Sequence, residues 1–82
     1  MLTQDKLTQM LRGYVADLLD MDVAEIDPER NLVDYGLDSA DAVLLAGAVE
    51  EAVDHECDPA ILLRNPTIAG VVAELAEQGL VG

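Results

Sequence analysis

The chain has 82 residues, 51% of them apolar, with two tyrosines and neither phenylalanine nor tryptophan, so it is one small domain, residues 1–82, with a modest aliphatic core. Seventeen acidic residues against four basic ones give a formal charge of −13, which argues against nucleic acid or an anionic membrane surface as partner and for basic patches on other proteins. The single cysteine, Cys57, excludes an internal disulfide and a Cys-rich zinc site and reads as a small core residue.

Residues 3–20 carry the clearest helical signal. Leu7, Met10, Leu11, Tyr14, Val15, Leu18 and Leu19 recur at three-four spacing, with Thr3 as cap and Asp5 in the first turn. Gly13 falls off this stripe, where it costs about 1 kcal/mol relative to alanine. The polar face holds Asp17 and Asp20 with only Lys6 and Arg12 as cations, the mark of a core-packing helix and not a membrane-surface one. No apolar run approaches a membrane span, and the N-terminus lacks a basic segment followed by an apolar one, so a cytoplasmic protein is expected.

From Met21 to Leu37 the periodicity lapses into a long loop punctuated by Asp27-Pro28 and Tyr35-Gly36, with Val23, Ile26, Leu32 and Val33 expected to pin it to the helices. Loops this long in a small domain tend to be functional. A calcium loop starting at Asp20 would place Asp22 well, but it offers Ala24 and Glu25 where an oxygen ligand and the turn glycine belong.

The loop ends in Gly36-Leu37-Asp38-Ser39, and a second helix is expected over Ser39 to Val53, burying Ala42, Leu45, Ala46, Val49 and Val53. Ser39 then sits in the first turn, where backbone amides lack intrahelical partners and the helix dipole is positive, a favourable place for a phosphate on its hydroxyl. Simple capping by Asp38 or Ser39 is the plainer alternative. A serine nucleophile is disfavoured: His55, the one histidine, lies roughly four to five turns along the same helix, out of reach as a base. Beside Ser39, the residues Ala40, Val43, Leu44 and Gly47, ringed by Asp41, Glu50, Glu51 and Asp54, exceed what one buried stripe takes up and suit a docking face for a partner protein.

Asp54 to Pro59 forms a connection in which His55 meets the helix C-terminus and cannot make a metal site with Cys57. Asp58 as cap and Pro59 at the first helical position begin a short helix through Ile61, Leu62 and Leu63, which Pro66 stops. Thr67 caps the last helix, with Ile68, Val71, Val72, Leu75 and Ala76 on one face and Gly79 at its end, and Leu80 to Gly82 are expected to fray.

The segment Asp34-Tyr35-Gly36-Leu37-Asp38-Ser39-Ala40-Asp41-Ala42-Val43, followed by Asn65-Pro66-Thr67-Ile68, resembles the acyl and peptidyl carrier proteins of fatty-acid, polyketide and nonribosomal-peptide synthesis, and the resemblance covers nearly the whole chain. It implies an all-α, small four-helix bundle of three main helices plus one short helix, with a long loop between the first two. It also implies a non-catalytic phosphoprotein that carries acyl groups as thioesters on a 4′-phosphopantetheine arm at Ser39. The arm would come from coenzyme A through a phosphopantetheinyl transferase, with Asp38 helping to orient Mg²⁺-bound coenzyme A, and the second helix would be the recognition face. An acyl chain slipping between the helices is a further expectation.

Two positions depart from the family pattern. Ala40 stands where a larger aliphatic residue is usual, and Leu44 where many relatives are polar, which bears on partner identity. The phrasing Ser39-x-Asp41-Ala42-Val43 with Pro66-Thr67-Ile68 is more similar to assembly-line carriers than to the fatty-acid carrier of primary metabolism. An acyl-adenylate ligase or acyltransferase is the implied loading partner, with ketosynthase or condensation enzymes downstream. A monomer is expected, and the opening Met1 fits a freestanding protein. The competing readings are an aminoacyl or peptidyl carrier, and an unmodified acidic helical interaction module, which leaves Asp38-Ser39 beside surplus apolar residues without a reason.

Overall fold

The computed structural model describes residues 2–82; Met1, on which the freestanding expectation rests, lies outside them. Four helices make up the fold: α1 Gln4–Leu19, α2 Ser39–Val53, α3 Ile61–Arg64 and α4 Ile68–Glu77, with no strand among the described residues. Between α1 and α2 run two short 3-10 turns, Val23–Glu25 and Leu32–Tyr35. The protein is an all-α bundle of three main helices and one short one, with α1 packed on both α2 and α4.

Thr3 caps α1 through its hydroxyl, which accepts from the Lys6 amide at 3.1 Å, and Asp20 ends the helix in the left-handed region. Leu7, Leu11, Val15 and Ala16 are its buried residues. Met10, expected on the stripe, is 47% exposed, because the stripe centres on positions 7, 11 and 15 and leaves Met10 at its edge.

The long loop is held by Ile26 and Leu32, both buried, and by Arg12, whose guanidinium donates to the carbonyls of Ile26 at 2.8 Å and Val23 at 3.1 Å. Val23 and Val33 do not pin it; they are exposed. A 3-10 turn advances about 120° per residue, so once Leu32 points inward its neighbour Val33 points away. The loop is also tied to the α3–α4 junction, where the Leu32 amide donates to the Pro66 carbonyl and the Ala69 amide to the Pro28 carbonyl, each at 2.8 Å.

Leu45, Ala46 and Val49 are the buried residues of α2, while Ala42 and Val53 are only partly covered. Pro59 is not the first helical residue of α3. It lies in a turn that Asp58 closes, its carboxylate accepting from the Ala60 amide and its carbonyl from the Ile61 amide, each at 2.9 Å, so the helix begins at Ile61. His55 follows the left-handed Asp54 that ends α2, its amide donating to the Glu50 carbonyl at 3.3 Å and its Nδ1 lying 2.8 Å from the Glu56 carbonyl.

Thr67 caps α4 by accepting from the Gly70 amide at 3.0 Å, and Ile68, Val71, Val72 and Leu75 face the core. The C-terminus is docked, contrary to the expectation of fraying. The Leu80 amide reaches back to the Leu75 carbonyl, Val81 is buried, and the Gly82 amide donates to the Leu2 carbonyl at 2.8 Å. Burying Val81 and pairing Gly82 with Leu2 supply the contacts a free end lacks.

Candidate functional site

Ser39 is the first residue of α2 and is exposed. The capping is done by Asp38, whose carboxylate accepts from the Asp41 amide at 2.9 Å while the Asp41 carboxylate accepts from the Asp38 amide at 3.4 Å. The Ser39 hydroxyl is therefore not consumed by the helix terminus it stands on. Gly36, with φ of 90°, turns the chain from the second 3-10 turn into Leu37 and Asp38, a left-handed conformation that a Cβ would strain.

Ser39 is also the only serine among the 82 residues. This simple count, which pattern reading passed over, leaves one position in the chain for serine chemistry. The carboxylates of the N-cap Asp38 and of Asp41 in the first turn change the electrostatics expected of this terminus. Their charges oppose the dipole's attraction for a phosphate at the start of α2.

Beside Ser39 lies an apolar pocket of about 180 Å³, walled by Leu32, Val33 and Leu37 of the loop, Ala42 of α2, and Leu62 and Leu63 of the α3 region. Leu63, 86% exposed, and Val33, 68% exposed, stand at this site and were read from sequence only as part of the short helix and as a loop pin. Their signal was available in the neighbours: Ile61 and Leu62 already fill the inward side of so short a helix, and Leu32 that of its turn.

The exposed residues expected to form a docking face spread over a broad arc of α2. Val43, 58% exposed, and the half-buried Glu50 lie within about 40° of Ser39 around the helix axis, whereas Leu44 and Glu51 lie roughly 120–140° away. Glu51 borders a separate groove with Met10 and Tyr14 of α1. Ala40 and Gly47 are exposed between these rows, and Asp41 is half-buried and engaged with Asp38. Glu50 stands toward the α2–α3 connection, where it adds to the rise in the Cys57 thiol pKa that partial burial chiefly causes, with Glu74 and Asp58 contributing and Arg64 opposing. Cys57 is partly buried against the core, as expected.

Short α3 is fastened to α4 by polar contacts. Arg64 donates twice to the Glu74 carboxylate, at 3.1 and 2.7 Å, and Asn65 Nδ2 donates to it at 2.9 Å. These bonds hold the Glu74 carboxyl below the ordinary glutamate range, the Arg64 contact being the larger cause. Among the described residues no cluster of His, Cys, Asp and Glu is arranged to hold a metal ion, and no helix is long and apolar enough to cross a membrane.

Residues 9–75 match the family model described as a phosphopantetheine attachment site. A 71-residue stretch is 34% identical to the nonribosomal peptide synthetase sidC of Arthroderma benhamiae, covering 85% of this chain and 1% of that protein. A 72-residue stretch is 29% identical to the conidial pigment polyketide synthase alb1 of Aspergillus fumigatus, covering 88% of this chain and 3% of that one. The chain thus spans a small fraction of the curated relatives it matches. Among solved structures, a free-standing peptidyl carrier protein from a secondary metabolic pathway of Acinetobacter baumannii superposes with a TM-score of 0.85 at 28% identity, over 93% of this chain and 95% of that one.

Proposed function

Because this chain belongs to the phosphopantetheine-attachment family, whose members carry 4′-phosphopantetheine covalently, we propose that Ser39 is the residue that bears the arm. The chain is a carrier domain of the kind found in polyketide and nonribosomal peptide assembly lines. The observation that carries the assignment is the lone serine of the chain, exposed at the first position of α2 with the cap already supplied by Asp38.

The residues fit the group. An exposed primary hydroxyl on a rigid helix start offers an oxygen nucleophile, and the apolar pocket beside it offers a surface on which the arm or a short cargo can rest. When bound, the arm supplies a thiol that holds an acyl group as a thioester. Loading forms the bond from Ser39 Oγ to the arm's phosphorus and breaks the pyrophosphate bond of coenzyme A. Adenosine 3′,5′-bisphosphate leaves, and the hydroxyl proton goes to a base on the phosphopantetheinyl transferase. Asp38 contributes by fixing the helix start and by placing a carboxylate next to the site where Mg²⁺-bound coenzyme A arrives. No residue of the chain need act as acid or base toward the cargo, so the domain works as a carrier and not as an enzyme. Its use is to keep the cargo at high local concentration for each partner.

The partners in this reading are the transferase, an acyl-adenylate ligase or acyltransferase that charges the thiol, and ketosynthase or condensation enzymes that draw on it. Val33 and Leu63 of the pocket, with exposed Val43 one turn along α2 from Ser39, form the apolar ground around the arm, and the charge of −13 selects partners with basic rims. Gly47 and Ala40 continue this surface around α2 toward Leu44 and Glu51, which are available to the same partner's rim. The domain, residues 1–82, acts as a cytoplasmic monomer in this account.

The reading is tested by loading the protein with an acyl-phosphopantetheine from the corresponding acyl-coenzyme A and then adding neutral hydroxylamine. The acyl mass should be lost while the arm remains. A protein that takes no acylated arm, or one whose acyl group resists hydroxylamine, contradicts it.

A further inference from the structure

We propose that Tyr35 is a positioning residue for loading at Ser39: its hydroxyl, held between two loop backbone groups, sets the turn that presents Asp38 and Ser39 to the transferase. The inference rests on the reading of Ser39 as the attachment residue and adds a residue to that site.

The loop from Met21 to Leu37 contains only two short 3-10 turns and buries only Ile26 and Leu32. Its first half is clamped by Arg12, and its middle by the Pro28 and Pro66 carbonyls. The last stretch, Val33 to Asp38, has no buried apolar side chain. Leu37 packs partly against the core, and the side-chain hydrogen bonds that tie the stretch back to the first half of the loop come from Tyr35. The phenol oxygen accepts from the Asp27 amide at 2.8 Å, eight residues back, and donates to the Glu25 carbonyl at 3.3 Å, ten residues back.

Arg30 lies over the ring, its guanidinium carbon 5.0 Å from the centroid, and is itself paired with Asp34 at 3.8 Å. The ring is thus held by its face and by its hydroxyl, and it cannot swing out without breaking both hydrogen bonds. The next residue is Gly36, whose amide donates to the Leu32 and Val33 carbonyls in the left-handed turn, and Leu37 alone separates Gly36 from the cap Asp38. Tyr35 therefore fixes the near end of a three-residue lever that carries the reactive hydroxyl.

If the hydroxyl is removed, the Asp27 amide and Glu25 carbonyl turn to water, and the lever samples orientations that the transferase does not accept. A partner that binds one orientation then sees its apparent affinity reduced by the fraction of molecules still in it. The loss falls on KM, because the orientation that does bind reacts as before.

The test compares the parent with Tyr35→Phe, which keeps the ring and its contact with Arg30. Coenzyme A, Mg²⁺ and a broad-specificity phosphopantetheinyl transferase are used, with loading rates read by intact mass and amide hydrogen exchange followed in parallel. The expected result is a KM for the carrier raised about three- to tenfold with kcat held within about twofold, a change on the scale of two partly exposed neutral hydrogen bonds. Exchange should quicken at Asp27, Gly36 and Leu37 and stay unchanged in α1 and α4. Equal KM values overturn the proposal, as does faster exchange throughout the bundle, the signature of a merely structural residue. Failure of the parent itself to load overturns the Ser39 assignment and this proposal with it. Loading of the parent with no effect of the variant overturns this proposal alone.

Discussion

Asp38 and Asp41 exchange hydrogen bonds across the first turn of α2, each carboxylate accepting from the other residue's backbone amide, at 2.9 and 3.4 Å. The pair closes the helix terminus with two like charges and leaves the intervening Ser39 exposed. Structural and chemical roles are thereby divided among neighbours, and the division can be tested by substitution.

Asp38→Ala removes the cap and should cost about 1 kcal/mol, read as a fall in Tm of roughly 4–8 °C in a domain of this size. Asp38→Asn keeps a capping oxygen and loses the charge, so its Tm should stay near the parent. If Asp38 also orients Mg²⁺-bound coenzyme A, Asp38→Asn loads more slowly despite its stability. Equal loading by the parent and Asp38→Asn would confine Asp38 to capping.

Two helical glycines should respond to alanine with opposite signs. A Cβ at Gly13 meets no atom within 4 Å, so Gly13→Ala should gain about 1 kcal/mol from helix propensity. A Cβ at Gly70 would stand 3.0 Å from the Thr67 hydroxyl oxygen and 3.1 Å from the Asn65 Cβ. Since Thr67 caps α4 through the Gly70 amide, Gly70→Ala should displace the cap and lower Tm. Thermal unfolding of both variants checks the order, and a Gly70→Ala protein as stable as Gly13→Ala would contradict it.

The tie between α3 and α4 should weaken in acid. Glu74 titrates below its ordinary range because Arg64 and then Asn65 donate to it, so it is more acidic folded than unfolded. Such a group contributes its full stability above the unfolded value and loses it as pH falls through the folded value. The contact is solvent-exposed and the total effect is small. It should nonetheless appear locally, as faster amide exchange in α3 and at Asn65 when the pH drops below the ordinary glutamate range. In Glu74→Gln this pH dependence should vanish.

The helices were legible because their signals are local: Thr3 and Thr67 cap where sequence placed them, and the apolar spacing of α4 names its buried face. The loop's exposed valines were not, because the inward direction in a single 3-10 turn depends on which residue the bundle takes first, and it takes Leu32. The same holds for Leu63, displaced outward once Ile61 and Leu62 occupy the core. The C-terminus was misread for want of a partner visible in sequence, since Gly82 pairs with Leu2 at the other end of the chain. At the site, the motif singles out Ser39, but the groove that Glu51 shares with α1 and the fastening of the turn by Tyr35 are long-range facts.

The measurement that bears most directly on the account is the intact mass of the parent and of Ser39→Ala after incubation with coenzyme A, Mg²⁺ and a broad-specificity phosphopantetheinyl transferase. The account predicts one phosphopantetheine added to the parent and none to Ser39→Ala. No addition to the folded parent, or an addition that persists in Ser39→Ala, would contradict it.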